Sequence, residues 1–427
     1  GTEKYIIFSS VPEKKDFVLV LMSSLKIILS LPALMNYLFF VKLYSSFIFM
    51  QIFNYNCKKI GYNSGMKNKS AVKTFGILTS GGDAPGLNAA IRGVCRSAMI
   101  NYGMKVVGIR NGYRGLIQGD GFPITSETVS GILTRGGTLL GTSREKPFKN
   151  PVPDPETGLL PVEAIKKNYK KWKLDALVVL GGNGTNTTGS LLAKEGLNVI
   201  GLPKTIDNDI VGTDVTFGFH TAVDVATEAI DRIHTTAHSH SRVMIVEVMG
   251  HKAGWLGLYS ALAGGGDVCL LPEIPYDINS VAKNVLARRD AGKEFSIVVV
   301  AEGALSKEEA KMDKKTFKKT RAEMVQSIGY RVAKELENAT GLESRTSVLG
   351  YLQRGGTPSP YDRVLATQFG VAAADFLARG DFGQLVAMQN NQIVGIPLED
   401  CAGKVKNIQL DDPLIATGRS VGICFGD

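Results

Sequence analysis

Cysteine is scarce in this chain of 427 residues: Cys57, Cys95, Cys269, Cys401 and Cys424 are the whole set, and none stands in a Cys-x-x-Cys spacing. That argues against a disulfide framework or a structural zinc site and fits a reducing cytoplasm. Histidine is as sparse. His234, His238 and His240 crowd one segment, apart from His220 and His251. With no cysteine or acidic partner at ligand spacing, the three read as polar residues at a helix end. A strong charge of one sign is missing too. The formal net charge is +9, but residues 1–65 carry seven lysines against Glu3, Glu13 and Asp16, a net of +4 that leaves a scattered +5 for the rest. Such a balance gives no nucleic-acid footprint, although it can help collect anionic substrates. Residues 17–53 are rich in Leu, Ile, Phe and Tyr, yet their uncharged stretch, 27–41, is short for a membrane span. A membrane anchor, a targeting segment without a clean cleavage site, and upstream sequence translated from a misplaced start all compete for residues 1–65. The expectation adopted is the last, because the chain begins with Gly1 and Met66 opens a polar run just before the first strand.

Glycine, by contrast, is plentiful: there are 48, clustered after apolar runs. Residues 72–79 read as a buried strand ending in Ser80-Gly81-Gly82-Asp83-Ala84-Pro85-Gly86, with an amphipathic helix over 87–102. Strand, glycine turn and helix together aim backbone N–H groups and a helix dipole at an anion. The turn is neither Gly-x-Gly-x-x-Gly nor a P-loop, since no lysine follows its glycines, and by itself such a turn is more often just a tight turn. A strand over 105–109 and a glycine loop over 136–144, closing on Arg144, come next. The run 174–180 is the clearest buried strand; it enters Gly181-Gly182-Asn183-Gly184-Thr185 and a helix to residue 195. A further strand, 197–200, leads to Gly201-Leu202-Pro203-Lys204-Thr205-Ile206-Asp207-Asn208-Asp209. Carboxylates at i and i+2 both ionise comfortably only beside a cation or donor, which is the situation of a general base next to a metal-bound phosphate. A polar turn with a helix cap is the plain alternative. In a doubly wound sheet all these loops share one edge, and their convergence outweighs any one of them. The second half reads as helices over 217–237, 279–289, 321–338 and 359–379 and strands over 243–248, 268–272, 295–301 and 347–352. A charge run over 307–319 reads as a solvated face.

Six motifs, in order and spacing, resemble the phosphofructokinase family: residues 79–88, 181–185 and 203–209, Met249-Gly250, Ala301-Glu302-Gly303, and residues 350–356. The resemblance covers 72–427. It implies an α/β fold of two doubly wound, Rossmann-like domains with the active site in the cleft between them. The larger, nucleotide-binding domain would be 72–218 with 353–403, and the smaller, sugar-phosphate-binding domain 219–352 with 404–427. It also implies 6-phosphofructokinase activity on fructose 6-phosphate, magnesium as cofactor, a cytoplasmic homo-oligomer, usually a tetramer, and neither nucleic acid nor membrane as partner.

By the same resemblance Asp207 is the base for the sugar 1-hydroxyl, with Lys204 and Thr205 beside it and Asp209 steadying the loop or a magnesium-bound water. Gly81, Arg144, Gly182, Asn183, Gly184 and Thr185 match nucleotide-phosphate contacts, the glycines letting backbone N–H groups come near phosphate oxygens. Asn183 stands where many relatives carry a magnesium-binding aspartate and offers only a neutral carbonyl oxygen, so magnesium is expected to rest more on phosphate oxygens and water. Sugar-phosphate contacts carry over to Thr205, Ile206, Asp207, Arg242, Met249, Gly250, His251, Glu302, Arg345, Tyr351, Leu352, Gln353 and Arg354, with Arg242 and Arg345 reaching across a subunit boundary. His251 replaces the arginine common after Met-Gly, and Lys252 next to it could supply the charge. Gly184 leaves room for an adenosine α-phosphate, where pyrophosphate enzymes usually carry aspartate; Lys204 resembles the pyrophosphate enzymes. The pair resembles the mixed-substrate group, and ATP is the donor expected, since a steric and like-charge obstacle outweighs an added cation. A non-catalytic sugar-phosphate sensor is the other class, which has no need of a base at Asp207. Arg92 and Arg96 match effector-binding positions of some relatives, but the rest of that site does not align. Weak or absent activation by ADP is therefore expected: an ADP titration at subsaturating fructose 6-phosphate should leave the activity curve in place, and a strong left shift would refute this.

Overall fold

The computed structural model describes residues 69–149, 151–323 and 326–427; the expectation for residues 1–65 lies outside them. Strands β1 (Thr74–Thr79), β4 (Ala176–Gly181) and β5 (Val199–Pro203) are buried almost throughout, as strands covered on both faces must be. Their alternate residues serve opposite layers. Phe75, Ile77, Val178 and Leu180 pack with helix Leu87–Tyr102, whereas Leu78, Leu177 and Val179 pack with helix Gly112–Gln118. With β2 (Lys105–Ile109), β3 (Gly121–Ile124), β10 (Gln384–Gln389) and β11 (Gln392–Pro397) they form a seven-stranded sheet, ordered β11-β10-β5-β4-β1-β2-β3. Its inner pairs are parallel, and β3 and β11 are antiparallel edges. The strand order reverses between β1 and β4, the place where open α/β sheets hold ligands. A second sheet, β7 (Val268–Leu270), β8 (Ser296–Ala301), β6 (Val243–Val248) and β9 (Ser344–Val348) in that order, is parallel throughout. The expected fold class, mixed α/β with two parallel sheets, is the one observed.

Several boundaries differ from expectation. Strand β5 continues through Gly201 and Leu202 to Pro203, a last position that suits a residue without an N–H. The strand expected over 347–352 is β9, which stops at Val348. Gly350 has φ +48, and Gly350–Arg354 turns as a 3-10 segment. The single helix expected over 321–338 is two, Lys314–Glu323 and Ile328–Thr340, because Ser327 is extended and begins the second. Strand β7 is shorter than 268–272, since Leu271 turns to bridge Ile274. Strands β3, β10 and β11 were not anticipated.

Helix Phe219–His240 begins against helix Pro360–Arg379. Fully buried Asp362 accepts hydrogen bonds from the N–H of Gly218 (2.9 Å) and Thr221 (2.7 Å) and from the Thr221 hydroxyl (2.5 Å). A carboxylate at a helix N-terminus satisfies donors the helix itself cannot. Asp362→Ala would orphan them at about 1–3 kcal/mol for each buried donor. A loss of about 3 kcal/mol is expected, read as a lower urea midpoint for unfolding.

Candidate active site

The C-terminal ends of β1, β4 and β5 bring their loops into one cleft, with residues following β6 and the 3-10 segment opposite. After β1, the Ser80 N–H donates to the Leu180 carbonyl (3.0 Å) and the Gly81 N–H to the Ser143 carbonyl (2.9 Å). The Gly81 N–H is thus engaged with the Ser143 carbonyl in this structure. What Gly81 contributes is its φ of +84 and bare Cα, with the Lys204 ammonium 4.0 Å from where a Cβ would stand. At Gly82 a Cβ would run into the guanidinium of Arg354, so a larger residue there would have to displace that side chain.

After β4, helix Asn183–Lys194 starts inside the glycine motif. Asn183, Gly184 and Thr185 therefore form its first turn; the Thr185 N–H donates back to the Gly182 carbonyl (3.0 Å), and the N–H groups of Asn183 and Gly184 with the helix dipole favour an anion. The Thr185 hydroxyl donates to the Ser80 carbonyl (3.1 Å), and Tyr113 donates from its hydroxyl to the Thr185 carbonyl (2.9 Å). Tyr113 lines the cleft and was not anticipated; its place directly after β2, another strand end on the same edge, is the signal that could have found it. Gly184 faces open space, with no atom within 4 Å of a would-be Cβ.

The loop after β5 is the most constrained. Lys204 is buried and its ammonium donates to the Gly82 carbonyl. Burial first, then the charge of Arg354, pulls that ammonium down to about 8, against the pull of Asp207, Asp83 and Asp209. The Thr205 hydroxyl accepts the Asp207 N–H at 3.1 Å, and Asn208 turns the chain with φ +51. Asp209 accepts from the Asn183 side-chain amide at 2.8 Å; burial and then repulsion from Asp207 raise its carboxyl to about 6. Asp207 Oδ1 and Asn183 Oδ1 are buried without any partner. Across the cleft the His251 N–H donates to Glu302 Oε1 at 2.8 Å. Burial, and less strongly the charge of Asp207, push the Glu302 carboxyl up.

Of the anticipated residues, Gly81, Arg144, Gly182, Asn183, Gly184, Thr185, Lys204, Thr205, Ile206, Asp207, His251 and Arg354 line this one cleft. Met249, Gly250 and Glu302 are not among the lining residues. Gln353 is not a lining residue: it is fully buried, and its Oε1 holds the Met249 N–H at 2.8 Å, fixing the turn instead. Tyr351 and Leu352 are 74% and 69% exposed and do not line the cleft. Arg242 and Arg345 lie outside the cleft of their own chain, both paired with Glu343. Among the described residues, no three His, Cys, Asp or Glu side chains cluster as a metal site. The orphaned oxygens of Asn183 and Asp207 still fit magnesium, a hard cation that keeps its waters and takes few protein ligands.

The family model described as Phosphofructokinase matches residues 74–377. The chain belongs to the phosphofructokinase family. A relative from Spirochaeta thermophila, named ATP-dependent 6-phosphofructokinase, is 62% identical over 365 residues, 84% of this chain and 99% of the relative. One from Streptomyces coelicolor, named pyrophosphate–fructose 6-phosphate 1-phosphotransferase, is 45% identical over 353 residues, covering 82% and 99%. The solved structure of Pichia pastoris phosphofructokinase in the T-state matches with a TM-score of 0.67 at 34% identity. That match covers 78% of this chain but only 36% of the yeast chain.

In this phosphofructokinase cleft, Lys204 is charged below about pH 8 and Asp209 ionised above about pH 6. Anion binding needs the first, and the hydrogen bond from Asn183 favours the second. The pH profile of kcat/KM for fructose 6-phosphate is therefore expected to rise through about 6 and fall through about 8. Asp209→Asn should remove the acid limb and Lys204→Met the alkaline one; limbs unchanged in the variants would trace to the substrate, whose phosphate also titrates near pH ~6.

Proposed function

We propose that the chain is a 6-phosphofructokinase that transfers the terminal phosphoryl group of ATP to the 1-hydroxyl of fructose 6-phosphate. One observation carries the reading: Asp207, whose Oδ1 has no hydrogen-bond partner, lines a cleft shared with a helix N-terminus and with Lys204 and Arg354. Asp207 accepts the proton as the sugar oxygen bonds to the terminal phosphorus, and ADP leaves with the electrons of the broken P–O bond. Because such a transition state spreads charge over the transferred oxygens, most of the protein's contribution is positioning and electrostatics. The first turn at Asn183–Thr185, with Arg144, holds nucleotide phosphates; Thr205 orients the acceptor. Arg354, as a planar fork, suits the sugar phosphate. Glu302, behind the His251 turn, is placed to steady hydroxyl contacts. Magnesium, when bound with the nucleotide, neutralises phosphate charge, and Asn183 and Asp207 are the residues that would face it or its waters.

Open space at Gly184 supports ATP as donor, as does the name of the Spirochaeta relative. The buried Lys204 and the name of the Streptomyces relative keep pyrophosphate as the second reading. We further propose that the two sheets belong to the two domains described above, 72–218 with 353–403 and 219–352 with 404–427. Arg242 and Arg345 would complete the sugar-phosphate site of a neighbouring subunit in a homo-oligomer, and the enzyme would act in the cytoplasm in glycolysis. No helix among the described residues is long and apolar enough to cross a membrane.

A coupled assay with fructose 6-phosphate should give turnover with ATP well above that with pyrophosphate; the reverse would make the pyrophosphate reading correct. Asp207→Asn should lower kcat by roughly 10²–10⁴-fold while calorimetry finds both substrates still bound. A variant with undiminished kcat would remove Asp207 as the base.

A further inference from the structure

Lys406 is absorbed by none of these roles, yet it holds both residues that follow Asp207. Its ammonium donates to Asn208 Oδ1 (3.2 Å) and to the carbonyls of Thr213 (2.9 Å) and Asp214 (3.0 Å). Its backbone N–H donates to the Asp209 carbonyl at 2.8 Å. Asn208 is the residue with φ +51, and its Oδ1 also takes the Thr216 N–H at 3.1 Å. The left-handed turn beside Asp207 is thus held through one acceptor gripped from two sides. The same segment is tied to the other sheet. The Trp255 indole N–H donates to the Lys406 carbonyl (2.8 Å), and the ammonium lies 5.4 Å from that ring's centre. Two residues on, the Ile408 N–H reaches Glu273 Oε1 (3.1 Å), and Glu273 also accepts the Gly254 N–H (2.9 Å). Gly254 and Trp255 follow the Met249–His251 turn after Lys252 and Ala253.

We propose that Lys406 is a positioning residue for the phosphoryl transfer, setting the Asp207 carboxylate against the turn that faces it across the cleft. This rests on the function proposed above. Lys406 is not among the cleft-lining residues. Its effect falls on alignment, where a shift of about 1 Å can cost about 10²-fold in rate.

The test uses the full chain. Lys406→Met keeps most of the stem and removes the ammonium; Lys406→Ala leaves a space that ethylammonium can enter. Expected are a kcat about 10–100-fold below wild type in both variants, with KM for fructose 6-phosphate and for ATP within about threefold. Ethylammonium should restore at least about tenfold of the Lys406→Ala rate saturably, whereas tetramethylammonium, which has no N–H, should not. Wild-type kcat in the Met variant, a loss confined to KM, or no recovery with ethylammonium would each overturn the proposal. So would failure of both variants to fold, because the lysine would then be holding the fold rather than the loop. If the wild-type chain itself transfers no phosphoryl group to fructose 6-phosphate, it is the proposed function that fails.

Discussion

Two carboxylates share one buried loop, and most of the surrounding structure answers that crowding. Burial and the charge of Asp207 raise Asp209 to about 6, so the pair is held at some cost. The bonds that steady it come from neutral groups. Asn183 donates its amide to Asp209, and Thr205 takes the Asp207 N–H. An aspartate in place of Asn183 would add a third negative charge there unless a cation offset it; asparagine donates instead. Asp207 keeps one oxygen bare, the state a proton acceptor needs before its substrate arrives. Lys204 supplies positive charge through space while its ammonium is anchored on the Gly82 carbonyl.

The fold makes this arrangement possible by bringing several strand ends to one place. The first sheet supplies a helix start, a glycine turn and the acidic loop; the second supplies the turn bearing His251 and, behind it, Glu302. Where the sheets' residues meet, the fit is close enough that a Cβ at Gly82 would push the Arg354 guanidinium aside. Glycine at that position is a matter of distance, whereas at Gly81 it is one of backbone angle.

Much of this was legible in the sequence for a simple physical reason. Strands β1, β4 and β5 are buried on both faces and appear as unbroken apolar runs, each followed by glycine or polar loops that could not be core. Those loops named most of the cleft. Strands at the sheet edge, or next to it, were harder. Strands β10 and β11 mix polar and apolar residues, although Asn390 and Asn391, both at positive φ between them, carry the signature of a type I′ hairpin turn. Side chains that act through hydrogen bonds rather than by lining the cleft were not legible. Gln353 sits inside a recognisable motif, yet its amide bonds backward to Met249. Motif membership places a residue near a site, and only coordinates show whether it faces the substrate or the scaffold. The engaged N–H of Gly81 teaches the same lesson for backbone.

The grip of Lys406 on the acidic loop spans nearly half the chain, with 198 positions separating it from Asn208 and 192 from Asp214. During synthesis the β1, β4 and β5 strands are complete long before residue 406 is added, and domains generally begin to fold from the N-terminal side. A nascent chain can therefore pair β1, β4 and β5 while the turn beside Asp207 still lacks its distant anchor. Docking of the segment around Lys406 is then a late contact, and the loop beside Asp207 reaches its finished geometry only after the strands that carry it have paired.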